Sequence, residues 1–230
     1  MRIWDVNPGY LNRQSLLGEH RELHGLVSVI TNGKKGYSHH PETMRWVGFG
    51  WAIKQRHKEL ACEMNLRGYV DKSPVRTRSN KGVWPATYID KPHIQFELLR
   101  DKYRSKEKGR IPLPNTVYEL WSHHKYSVLA RDQKKYKEIG LRVSSQSISF
   151  DDLSILLVEI LRLPPSEGGI RNSVQHMWGY VSNVHNEHCN GDVDSWSLRK
   201  LLTMTQENVK KTDEPYLNNS TALSELMIWL

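Results

Sequence analysis

Apolar residues recur at three- and four-residue steps along most of this chain, and nowhere do apolar and polar positions alternate over the length of a strand. The spacing predicts a first helix over residues 11–31. Leu16, Leu17, His20, Leu23, Val27 and Ile30 form its apolar stripe. Glu22 falls on another face with Ser15, Gly18 and Gly25, small residues that leave room for a close approach. Asn32-Gly33 ends the helix, and the loop Lys34-Lys35-Gly36-Tyr37-Ser38-His39-His40-Pro41 follows. A second helix is expected from about Pro41 to Arg67, burying Trp46, Phe49, Ile53, His57, Leu60 and Met64, with Gly68 as its cap. Val70 to Ile89 lacks helical periodicity and interleaves Lys72, Arg76, Arg78 and Lys81 with Trp84 and Tyr88, a pattern that suits a solvated loop or a loop lying along a nucleic-acid strand. Asp90-Lys91-Pro92 opens a third helix with Ile94 and Leu98 facing inward and Phe96 beside them.

Ser105 to Pro114 is charged and then proline-punctuated, and reads as a linker. Beyond it, helical patterns are expected from about Thr116 to Ile139 and from Ile148 to Leu163, where Pro164-Pro165 stops the run. Another has Ile170, Val174, Met177/Trp178 and Val181 in step, and two more cover roughly Ser195–Lys210 and Ser220–Leu230. The reading is therefore all-α, with a helical domain over 1–110 followed by a second helical domain over 116–230.

Composition narrows the class. A hydrophobic content of 38% with eight tryptophans and ten tyrosines describes a folded chain. The start carries Arg2, Asp5 and Pro8 with no apolar core behind them, so no secretion signal is expected, and the longest apolar runs are too short to span a bilayer. Two distant cysteines, Cys62 and Cys189, imply no disulfide framework and point to a reduced intracellular compartment, cytoplasmic or nucleoid-associated. Net charge is +8, unevenly spread: residues 1–150 hold 27 Lys/Arg against 14 Asp/Glu, and residues 151–230 hold 6 against 11. The basic excess suits a polyanion such as nucleic acid, while the acidic final third suits a structural role or a protein partner.

The chemistry-bearing candidates concentrate at the start. An α-amine has an unperturbed pKa near ~7.7–8.0, which keeps a useful fraction neutral and nucleophilic at physiological pH. A carboxylate of the first helix held beside that amine can carry protons or stabilise a cationic intermediate, and the same residues also suit an ordinary first helix with solvated charges. Arg2 and Arg21 favour the neutral amine and Glu22 opposes them. His39-His40 sit in the basic loop, as phosphate or sugar contacts or as structural residues. His39-His40 and His123-His124 are adjacent pairs whose side chains diverge, and His185, His188, Cys189 and Asp192 lack any CxxC or HExxH, so no metal and no cofactor are assigned.

Several separated segments agree, in order and spacing, with one family. Met1-Arg2-Ile3-Trp4-Asp5, Leu17-Gly18-Glu19-His20-Arg21-Glu22-Leu23-His24, Lys35 to Thr43, Arg45-Trp46, Arg56 to Leu60, Arg67-Gly68-Tyr69 and Lys72-Ser73-Pro74 together resemble the pyrimidine-dimer DNA glycosylases over roughly residues 1–105. The resemblance implies a glycosylase with abasic-site lyase activity on lesion-containing double-stranded DNA. In that family the N-terminal α-amine attacks C1′ of the damaged nucleotide, a Schiff base forms, and β-elimination cuts the strand. Met1 matches the nucleophile and Glu22 the assisting glutamate. Arg2 and Arg21 match phosphate-contacting arginines, and Arg13, Lys34, Lys35, His39, His40 and Arg45 complete the expected DNA-facing set. The family's phage enzyme exposes a threonine by losing its initiator methionine. Here Arg2 follows Met1, and a bulky second residue spares the methionine.

Ser15 stands where many relatives have histidine, and Gly25 where the phage enzyme has arginine, which bears on dimer specificity more than on lyase chemistry. Trp84 and Tyr88 are candidates to replace that enzyme's aromatic tail. Residues 116–230 faintly resemble the YbgA-type domain of unknown function, through His124-Lys125-Tyr126, Tyr136, Gly140, Gln175 to Tyr180 and Tyr216-Leu217. Two other readings stay open: a lyase for abasic or otherwise modified nucleotides, and a non-catalytic nucleic-acid-binding protein. A monomer is expected.

Overall fold

The computed structural model describes residues 1–184 and 193–230, and among these every regular element is helical. The chain divides into two compact units, Met1–Gly109 and Arg110–Leu230.

The first unit is built on a buried N-terminal strap. Ile3, Trp4, Val6, Tyr10 and Leu11 are all within the core, and a short 3-10 turn at Pro8–Tyr10 is closed by the Asn7 side chain accepting from the Gly9 amide at 2.8 Å. Asn12 then caps helix α1 (Arg13–Asn32), its side chain accepting from the Ser15 amide at 2.9 Å, and Gly33 ends that helix in the left-handed conformation. The helix expected over 41–67 is two helices, α2 (Pro41–Trp46) and α3 (Gly50–Leu66). Gly48 at φ 85° turns the chain between them. The break also brings the start of α3 against residues 77–79. The Gly50 amide donates to Ser79 Oγ at 2.9 Å and Trp51 N donates to the Ser79 carbonyl at 2.8 Å; a Cβ at Gly50 would lie 2.6 Å from Ser79 Oγ. Periodicity alone continued through Gly48 because Trp46, Phe49 and Ile53 stay in step.

Residues 70–89 form no regular element, and Trp84 packs edge-on against Trp46 and Trp51 with centroids 6.3 and 6.0 Å apart. In α4 (Pro92–Lys102) the inward face is Gln95, Phe96 and Leu99, whereas Leu98 is 38% exposed and Ile94 partly so, a shift of one position from the sequence expectation. The reason is polar: Gln95 is drawn inward to tie the helix to the strap, accepting from the Asp5 amide at 2.8 Å and donating to the Asp5 carboxylate at 2.9 Å.

The second unit packs α5 (Val117–Leu129) against α6 (Gln133–Ser144), α7 (Phe150–Leu161) and α8 (Glu167–Val184), and α8 against α9 (Leu198–Thr212). The helix expected over 116–139 is interrupted at Asp132, whose carboxylate accepts from the Lys134 and Lys135 amides and starts α6 afresh. Ile170, Val174, Met177, Trp178 and Val181 are all buried, as their spacing requires. Two short helices, α10 (Pro215–Asn218) and α11 (Ala222–Glu225), close the unit, and a buried Arg131–Glu225 ion pair anchors α11.

Candidate active site at the N-terminal strap

Four polar anchors hold the strap and so place the first residues of the chain. The buried guanidinium of Arg56 reaches Glu19 through Nε at 2.7 Å and Nη2 at 3.0 Å, Val6 O at 3.1 Å and Glu59 at 2.8 Å. Glu19 also accepts from the Trp4 amide at 3.2 Å. Arg67 donates to the Leu11 and Gly9 carbonyls at 2.8 and 3.1 Å, and Gln95 holds Asp5. Burial pushes the Glu19 carboxyl up to about 7, against the pull of Arg56.

So anchored, the strap delivers its start to the exposed side of α1. The Arg2 backbone N–H donates to Glu22 Oε2 at 2.5 Å. The residue whose α-amine is the expected nucleophile is therefore directly bonded to the residue held by Glu22. A cleft of about 350 Å³ opens here, with Arg2, Trp4, Glu19 and Glu22 on one side and Leu98 and Lys102 of α4 on the other. Gly18 lies in its floor, and a Cβ there would meet nothing within 4 Å, so a ligand can approach the helix backbone. The Arg2 guanidinium lies over Trp4, 4.7 Å from the ring centroid, and pairs with Asp90. Asp90 and Glu19 join this arrangement without a motif that marks them for it. Glu19 was visible only as one residue of a charged helix, and Asp90 is 88 positions away from its partner in sequence.

The other expected DNA-facing residues separate into two groups. Arg13, Arg21, Lys34, Lys35 and His39 are exposed, the lysines directly beyond the C-terminal end of α1. Arg45 and His40 have structural positions. The Arg45 side chain is 3% exposed, pairs with Asp5 and with Glu42 at 3.3 Å, and lies over Trp46. An arginine so enclosed cannot reach a phosphate. His40 caps α2, its Nδ1 accepting from the Glu42 amide at 3.1 Å. Trp84, held between two tryptophans, is likewise part of the packing.

A second cluster joins α1, α3 and the irregular segment after α3. His20, His24, His57 and Asp71 bring their ligand-type atoms within 4.8 Å of one another. Burial depresses the His57 imidazole to about 4 and lowers His24 as well. In sequence His20 and His57 stand on apolar stripes, with no spacing that marks them as ligands. Two histidines on buried faces of separate helices were the available signal. His185, His188, Cys189 and Asp192, considered and set aside as a metal cluster, lie outside the described residues.

The strap residues and the carboxylates of this cleft fall in the segment that carries the family motifs. Residues 1–77 match the pyrimidine dimer DNA glycosylase family. Residues 125–226 match a family described as protein of unknown function (DUF1722). No curated protein and no solved structure matches the chain. The first match supports DNA-repair glycosylase activity, with DNA as substrate, as the general function of the first unit. None of the helices, among the described residues, is long and apolar enough to cross a membrane.

Proposed function

We propose that the first unit is a pyrimidine-dimer glycosylase with abasic-site lyase activity, and that the Met1 α-amine is its nucleophile. The observation that carries this reading is the 2.5 Å bond from the amide of Arg2, the residue next to Met1, to the Glu22 carboxylate that lines an open cleft. The neutral amine attacks C1′ of the damaged nucleotide, and the base leaves with the electron pair of the glycosidic bond. Loss of the amine proton and opening of the sugar ring give an iminium, whose positive charge the Glu22 carboxylate stabilises. Removal of a C2′ proton then expels the 3′ phosphate by β-elimination. Gly18 in the cleft floor leaves room for a nucleotide drawn out of the duplex, a distortion costing a few kcal/mol that is cheapest at a weakened lesion.

Borohydride trapping tests the reading. Reduction in the presence of abasic duplex is expected to give a covalent adduct that maps to the peptide beginning at Met1. An adduct on Lys34 or Lys35 overturns the nucleophile, and no adduct at all overturns the lyase. Parallel reactions on dimer-containing and abasic duplex decide between dimer excision and a lyase for other damaged nucleotides. Ser15 and Gly25 are the positions that bear on that outcome.

A further inference from the structure

Three imidazoles from two helices and one carboxylate converge beneath α1. His20 and His24 are four residues apart and share a face of that helix, His57 faces them from α3, and Asp71 follows in the irregular segment. The three rings are mutually 4.7 to 5.1 Å apart between centroids. His57 Nε2 lies 3.2 Å from His24 Nε2, His20 Nε2 lies 3.3 Å from one Asp71 oxygen, and His57 Nε2 lies 3.5 Å from the other. A tetrahedral zinc with bonds of about 2.0–2.1 Å has ligand-to-ligand edges of about 3.3–3.4 Å. The His57–His24 and His20–Asp71 separations fall close to that value, and all four ligand atoms lie within 4.8 Å of one another. His20 Nε2 is buried and makes no hydrogen bond of good geometry, its nearest polar neighbour being the Asp71 carboxylate oxygen at 3.3 Å.

We propose that His20, His24, His57 and Asp71 bind one divalent first-row transition metal ion, zinc in the first instance, in a closed tetrahedral site. Three imidazole nitrogens and one carboxylate suit zinc and exclude magnesium and calcium, which take oxygen ligands. Four protein ligands leave no open position, so the ion is a structural clamp joining α1, α3 and the segment after α3. Ser73 supports it from outside: its hydroxyl donates to Asp71 Oδ1 at 2.8 Å. Glu22 lies between His20 and His24 on the opposite face of the same helix, so the clamp fixes the element that carries the candidate carboxylate. The site stands on its own geometry and does not depend on the Schiff-base reading.

The test uses tag-free full-length protein. Elemental analysis after gel filtration is expected to find one zinc per chain, and at least about tenfold less in the double variant His24→Gln/Asp71→Asn. Stripped protein reloaded with Co²⁺ is expected to show the intense visible absorption of a tetrahedral ion. Ser73→Ala is expected to weaken zinc binding, measured against a chromogenic chelator, by about tenfold. Wild-type zinc content no higher than that of the double variant overturns the proposal. So does a weak, octahedral cobalt spectrum, which is read on the wild type and needs no variant to fold. Either result leaves the cluster as a hydrogen-bonded imidazole network.

Discussion

At the residue scale, the candidate chemistry rests on Glu22. Its carboxylate accepts from the Arg2 amide in the cleft, and glutamine keeps the size while removing the charge. Glu22→Gln is expected to leave duplex binding nearly unchanged and to slow dimer excision by about 100-fold or more, in line with removing one preorganised electrostatic contact. Excision at the wild-type rate would remove Glu22 from the mechanism. In the second unit, His123 and His124 carry a different consequence. Burial depresses them to about 4 and about 3, and His124 Nδ1 donates to the Leu120 carbonyl at 2.8 Å. Both are held neutral when folded but take up a proton near pH ~6.5 when unfolded. Their contribution is complete above that pH and is lost as pH falls toward the folded values. Between pH ~6.5 and ~5 each is expected to remove about 2 kcal/mol. Hydrogen exchange of the α5 amides across this range measures the loss, and pH-independent protection would show that the histidines are not held neutral.

At the element scale, the strap, α1 and α3 depend on one buried ion pair. Arg56 and Glu19 side chains are 2% and 1% exposed, and Arg56 also satisfies the Val6 carbonyl. Removing one partner of such a pair leaves an uncompensated buried charge, whereas replacing both can be close to neutral. Arg56→Met is expected to destabilise the chain by about 3–5 kcal/mol, and Glu19→Gln/Arg56→Met to recover a large part of that loss. Urea melts of the wild type and the two variants give the comparison. If the double variant is no more stable than Arg56→Met alone, the hydrogen bonds to Trp4 and Val6 matter more than the charge.

At the scale of the whole molecule, the unit boundary redraws the charge. Met1–Gly109 holds 20 Lys/Arg against 11 Asp/Glu, a balance of +9, while Arg110–Leu230 holds 13 against 14. The basic excess is thus a property of the unit that carries the cleft, and the second unit is nearly neutral rather than acidic throughout. Arg21→Ala, Lys34→Ala and Lys35→Ala are each expected to weaken duplex binding and to flatten the log–log salt slope by about 0.9, the value for one phosphate contact. Arg45→Met is expected to leave the slope unchanged and to lower stability, because its charge is enclosed by Asp5 and Glu42. A slope that responds to Arg45 and not to the lysines would put the DNA on another face.

Much of this was legible in the chain itself. The three- and four-residue period gave the all-α class and most helices, since burying an amphipathic stripe requires that spacing, and Ile170 to Val181 show it directly. The ordered motifs from Met1 to Pro74 pointed to the glycosylase family, which the family match over residues 1–77 bears out. Interruptions were less legible. Gly48 separates α2 from α3 and Asp132 starts α6 afresh where the apolar period runs on, and the deciding contacts, Ser79 against Gly50 and the Lys134 and Lys135 amides on Asp132, are local geometry that periodicity does not encode. Which charged residues face solvent was decided only in three dimensions. Arg45 and Arg56 look like any basic residues in sequence, yet each lies among carboxylates brought from distant positions. The same holds for His20, His24, His57 and Asp71. Their types and the helix spacing of the first two are written in the chain, but their convergence depends on how α3 and the segment after it pack beneath α1.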